Sequence, residues 1–315
     1  MSEADLGKLA GARLGVPSAH GAHELARMGR PVERSIEIGL LACAAVSALT
    51  TVGIVVVLAQ GSLAFFQDVS PWQFFFDLQW TPLFDQPRYG IWPLVAGTLL
   101  TSAIALCVAL PLGVLGALFL SELAPTQARR ALKPILEMLA GVPSLVYGAF
   151  ALIVVTPLLQ SVVPGLAGFN ALSPGIVMGL MLTATVATLV DDGLRAVPRT
   201  LREGAWALGA DDTAMIARVL LPAAKGSIAA AFTLVAARAV GETMIVAIAA
   251  GQQPRLTADP RVPIETMTAF IMQVSMGDVP VGTPAYRSIF VVAGALFVLT
   301  FALNWIAHRR VRRPV

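Results

Sequence analysis

Six apolar stretches, over 36–59, 91–120, 135–159, 174–190, 228–250 and 288–307, recur along a chain of 315 residues. Each comes close to or exceeds the roughly 20 helical residues that cross a hydrocarbon core. No water inside a bilayer can take up backbone hydrogen bonds, so such stretches must satisfy their N–H and C=O groups internally. The expected fold class is therefore an all-α polytopic membrane protein with six transmembrane helices.

Composition agrees with this and excludes the alternatives. At 57% hydrophobic and 13% charged residues, the chain is far from a soluble domain, where about a quarter of residues are charged. The formal net charge of +3 does not point to nucleic acid, because the basic residues are spread over separate loops rather than gathered with aromatics. Cys43 and Cys107 both fall inside apolar runs and read as small buried hydrophobes, with neither a disulfide nor a metal site implied.

Residues 1–35 read as a polar, flexible N-terminal tail and 308–315 as a basic tail carrying Arg309, Arg310, Arg312 and Arg313. The first apolar run begins too far along and is too long for a signal peptide, so it is expected to remain as a span. With both termini cytoplasmic, the tails and two inner loops hold 17 Lys and Arg, against 4 in the three outer segments. The positive-inside rule then fixes the orientation. Aromatics between Gln60 and Gly90 read as a membrane-interface belt. Pro111 interrupts the second run, and Gly141-Val142-Pro143-Ser144 would loosen the third. Glu137, four residues after Lys133, reads as its ion-pair partner.

On the inner side, residues 198–223 read as a helical hairpin. Thr200 and Glu203 have the spacing of a capping box, Gly209 should end the first helix, and Asp211 or Asp212 can cap a second, which Pro222 would turn away. The stretch Glu203-Gly204-Ala205, Gly209, Val219, Leu221-Pro222 resembles the EAA loop of ABC importer permeases, with Gly204 and Val219 replacing the usual Ala and Ile. In that family the hairpin docks into the ATPase subunit. The resemblance implies a type I ABC importer permease fold with Glu203, Gly204, Ala205, Gly209, Leu221 and Pro222 as coupling residues.

Leu139 to Gly148, together with Arg238-Ala239-Val240-Gly241-Glu242-Thr243-Met244, is similar to phosphate importer permeases of the PstC type. That resemblance implies a bacterial inner-membrane complex with a second permease of the PstA type, two ATPase subunits and an extracytoplasmic phosphate-binding protein. ATP and Mg would be used by the ATPase partner, and this chain would hold no cofactor of its own. Its only other contacts would be with lipid. A permease for molybdate, sulfate or phosphonate is the alternative, and an ATP-independent transporter would require the hairpin to be accidental.

The residues support a translocation role independently. An Arg at the centre of a span costs about 2.5 to 3.5 kcal/mol on an insertion scale, so Arg238 and Glu242 should face the protein interior. Four residues apart on one helix, they would share a face. They could form a self-neutralising pair, or Arg238 could offer its guanidinium to a passing oxyanion while Glu242 balances it. No phosphate-binding loop, HExxH pair, Cys/His cluster or GxSxG elbow is present, and Gly277 to Thr283 lacks the Lys a nucleotide loop needs. No catalytic residue is expected.

Overall fold

The computed structural model describes residues 19–311, and the expected tail over 1–18 and Arg312 and Arg313 lie outside them. The chain divides into two units, 1–57 and 58–315. Helix α1 spans Ala19–Asp68, so residues 19–35 are helical where a flexible tail was expected. In the first unit Ile36, Leu41, Val46, Leu49 and Ile54 are all exposed. A helix apolar on every side suits a lipid environment. Thr50 and Thr51 return their hydroxyls to the carbonyls four residues back, which hides their polarity.

The regular elements of the second unit among the described residues are helices, joined by loops that carry two isolated β-bridges, Trp80 with Tyr89 and Gly251 with Ile264. After the short α2 (Pro71–Phe76) come α3 (Trp92–Leu118), α4 (Thr126–Gly141), α5 (Ser144–Phe150) and α6 (Thr156–Gln160). The chain continues with α7 (Leu172–Arg195), α8 (Arg199–Ala207), α9 (Asp212–Met215), α10 (Leu221–Val240), α11 (Met244–Ala249), α12 (Met267–Met276) and α13 (Pro284–Val311). Among the described residues five helices are long and apolar enough to cross a membrane, and six if one bent pair is counted as a span.

That bent pair is the third expected span. Its two halves, Thr126–Gly141 and Ser144–Gln160, meet at 90°, because Val142 is held extended before Pro143. Pro111, by contrast, is absorbed within α3. Three π-helical turns, Phe119–Leu123, Ala151–Val155 and Ile216–Leu220, each end two residues before a proline, at Pro125, Pro157 and Pro222. The rings of the helical Pro157 and Pro222 crowd the carbonyls of Ile153 and Arg218, four residues back and inside the widened turns, whereas Pro125 stands beyond its turn in extended backbone as the N-cap of α4. Pro222 therefore does not turn the chain as expected: Asp212–Val240 is one continuous helix.

The core is a three-helix contact of α3, α7 and α10. Ala105, Ala109 and Ala117 meet Met178, Leu182, Val186 and Val190, with Ala231 and Val235 closing the third side. Small residues let the backbones approach, as membrane helix packing requires. A Cβ on Gly113 would strike Val186, and one on Gly179 would strike Val108. Cys43 and Cys107 are exposed rather than buried, since each points away from such contacts.

At the end of the bundle opposite the hairpin, the aromatic segment packs rather than forming only a belt. Phe65, Phe74, Trp80 and Tyr89 are buried, with Trp80 edge-on to Phe270 at 5.0 Å and Phe65 edge-on to Tyr89 at 5.3 Å. Trp72, Phe75, Phe76 and Phe84 remain exposed and keep the belt reading.

Candidate functional site

The hairpin forms as two helices around a left-handed glycine. Helix α8 starts at Arg199 with Pro198 as its N-cap, so Thr200 lies inside the helix and the Thr200–Glu203 capping box is absent. Pro198 displaces it by taking the N-cap position two residues before Thr200. At the other end Gly209 adopts φ +83°. The Ala210 N–H then donates to the Ala205 carbonyl at 3.1 Å and the Gly209 N–H to Trp206 at 2.9 Å. This pattern ends helices where a residue without Cβ can turn left-handed. Asp211 caps α9, its carboxylate accepting from the Ala214 N–H at 3.0 Å. Trp206 Nε1 donates to Asp212 at 3.1 Å.

The expected coupling residues divide by exposure. Glu203, Gly204, Gly209 and Pro222 are exposed, Leu221 is half-buried, and Ala205 is buried against Leu194, Val197, Met215 and Leu220. Leu201, Trp206 and Leu208 stand in the open, Leu208 at 91% exposure. A short polar hairpin with three bare apolar side chains has the form of a docking surface.

Behind it lie ion pairs that sequence reading missed. Arg202 reaches Glu122 at 3.1 Å, with the Glu122 side chain 8% exposed. Asp191 collects Arg195 at 2.9 Å, Arg129 at 3.5 Å and Lys133 at 3.8 Å. Lys133 thus joins Asp191 on α7 rather than Glu137 on its own helix. Asp191 and Asp192 lie within α7, just past the expected end of the fourth span at 190. Only the i,i+4 spacing of Asp191 and Arg195 was visible in the sequence.

The second expected site differs in backbone from its sequence reading. Helix α10 ends at Val240, and Gly241-Glu242-Thr243 separates it from α11. The break exists because Thr268 donates its hydroxyl to the Glu242 carbonyl at 2.8 Å, an acceptor that a continuous helix would direct at Val246. Arg238 and Glu242 therefore do not share a helical face, and no ion pair joins them among the described residues. Arg238 is exposed in the last turn of α10, its guanidinium 3.4 Å from the Thr185 hydroxyl near the middle of α7. Glu242 is half-buried. A cation without a carboxylate beside a helix break leaves its hydrogen-bond donors available to an anion.

Near the break, Thr98 accepts from the Met267 N–H at 3.0 Å and donates to Leu94 at 2.8 Å, which ties the segment before α12 to α3. Glu265 in that connecting segment is 2% exposed, and burial pushes its carboxyl up to about 8. The sequence reading had placed this segment in an external loop.

A family model for the binding-protein-dependent transport system inner membrane component matches residues 109–313, which includes the hairpin, Arg238 and Glu242. The chain belongs to that family. This permease is 32% identical over 275 residues to the "Probable ABC transporter permease protein YqgH" of Bacillus subtilis, covering 85% of this chain and 89% of that protein. It is 31% identical over 255 residues to the "Phosphate transport system permease protein PstC" of Xylella fastidiosa, covering 75% and 77%. Among solved structures, a chain of a bacterial ABC transporter involved in import of the acidic polysaccharide alginate superposes with a TM-score of 0.59 at 16% identity, over 91% of this permease and 99% of that chain. The fold is that of ABC importer permeases, as expected, and the family places the permease in the inner membrane as a transport component rather than a catalytic subunit.

Proposed function

We propose that this permease forms, with a second related permease of the PstA type, the translocation path for inorganic phosphate in an ATP-driven importer. The observation that carries the reading is the likeness, at 31% to 34% identity over more than two thirds of the chain, to proteins named as PstC phosphate transport permeases. Arg238 supports it chemically, since a guanidinium with no carboxylate partner suits a tetrahedral oxyanion. Glu242, two residues beyond the helix end, offsets that charge so that the anion passes rather than stays.

One of the importer's two ATPase subunits docks on the exposed hairpin, with Leu201, Trp206 and Leu208 entering its cleft and Glu203 and Gly204 at the edge. The hairpin and both termini lie in the cytoplasm, a reading supported by the basic residues concentrated on that side. An extracytoplasmic binding protein delivers phosphate at the opposite end. The chain has no nucleotide-binding motif, so ATP and Mg belong to the partner ATPase.

Purification in mild detergent tests the assembly, and uptake in proteoliposomes tests the substrate. An ATPase subunit and a second permease should accompany the chain. Radiolabelled phosphate uptake should resist excess sulfate, molybdate or phosphonate. Uptake abolished by one of these and not by unlabelled phosphate would assign the permease to that oxyanion.

A further inference from the structure

Arg202 immediately precedes Glu203 on α8, yet it faces the other way, into the bundle. One of its terminal nitrogens donates to the Leu194 carbonyl at 2.8 Å and lies 3.1 Å from Glu122. Leu194 belongs to the last turn of α7, where helix carbonyls lack intrahelical partners. Glu122 belongs to the π-helical turn that closes the second span and also accepts from the Ser121 hydroxyl at 2.6 Å. One guanidinium therefore joins the hairpin to the ends of two spans. Ala205 on the same helix belongs to the apolar cluster that includes Leu194 and Val197.

Burying both charges costs solvation that an apolar pair would not lose, so packing alone does not account for this choice of residues. The two N–H groups of that one terminal nitrogen, fixed in the guanidinium plane, can serve a carboxylate and a carbonyl at once. We propose that Arg202 is a positioning residue that fastens the coupling hairpin to the second and fourth spans through Glu122 and Leu194, so that displacement of α8 moves both spans. This rests on the coupling reading of the hairpin given above. The neighbouring Asp191 cluster attaches α4 to the fourth span at the same end, which extends the fastened body to a third element.

The test uses the full complex in proteoliposomes and reads phosphate moved per ATP hydrolysed, a ratio that a purely structural contact would leave unchanged in complexes that assemble. Arg202→Gln with Glu122→Gln removes both charges together. Arg202→Lys keeps the charge but not the planar pair of N–H groups. The double variant should lower the ratio at least tenfold and the lysine variant about threefold, with all subunits still co-purifying. A wild-type ratio in both variants overturns the proposal. Loss of assembly in the double variant with a wild-type ratio in Arg202→Lys also overturns it, since Arg202 would then serve stability alone. Glu203→Lys separates the two readings: if it keeps both ATPase docking and uptake, the coupling role of the hairpin fails, whatever Arg202 does.

Discussion

The Thr268 hydroxyl donates to the Glu242 carbonyl at 2.8 Å across 26 residues of chain, and this bond holds open the break between α10 and α11. Thr268→Val keeps the volume and removes the donor, leaving a carbonyl short of a partner at a cost of about 1–3 kcal/mol. The purified complex should melt at a lower temperature, while Thr268→Ser should melt as the wild type does. Equal melting of the Val and Ser variants would show that the bond does not maintain the break.

Arg238 has no carboxylate partner among the described residues, so its removal leaves no buried counter-charge stranded on it. Arg238→Leu is expected to assemble normally and to lose phosphate uptake by at least a hundredfold. Arg238→Lys should retain partial uptake, because it keeps the charge without the bidentate fork. Wild-type uptake by assembled Arg238→Leu complexes would remove the residue from the path.

At Gly209 the φ of +83° costs an L side chain roughly 1–2 kcal/mol, more for a β-branched one. Nothing lies within 4 Å of the Cβ position there, so backbone strain and not collision is what a substitution meets. Gly209→Val should weaken co-purification of the ATPase subunit, and Gly209→Asn should retain most of it. The contrast is read from subunit stoichiometry on a gel. Equal stoichiometry for the two variants would mean that left-handed geometry at the turn is not needed for docking.

Burial raises the Glu265 carboxyl from its ordinary 4.5 to about 8. The folded state then holds its proton more tightly than the unfolded state does. That contribution is complete below pH 4.5, declines as pH rises from 4.5 to about 8, and is absent above, a difference on the order of several kcal/mol. Glu265→Gln should remove this dependence, so the variant should gain in melting temperature over wild type between pH 6 and pH 9. A gap that stays constant over that range would place the carboxyl in water.

The six apolar runs, the Gly209 turn and the Asp211 cap were legible in the sequence because each depends on neighbours in the chain: hydropathy over a span, a missing Cβ, a carboxylate three residues from an N–H. The same local logic failed at Thr200, where Pro198 starts the helix earlier, and at Pro222, where a widened turn absorbs the ring. Arg238 and Glu242 were recognisable as unusual charges, but their helical pairing was not real. Thr268, distant in sequence, supplies the hydrogen bond that ends the helix between them. The partners of Arg202 and Asp191 were hidden for a related reason: a carboxylate at the end of one span carries no local mark of which cation folding will bring to it. Sequence determined which segments are apolar enough to cross a membrane and where the hairpin turns, since those choices are made residue by residue against solvent and backbone. Only the tertiary structure decided where the fifth expected span breaks, between α10 and α11, and which charges meet, because a buried polar group takes whichever partner packing sets within hydrogen-bond reach.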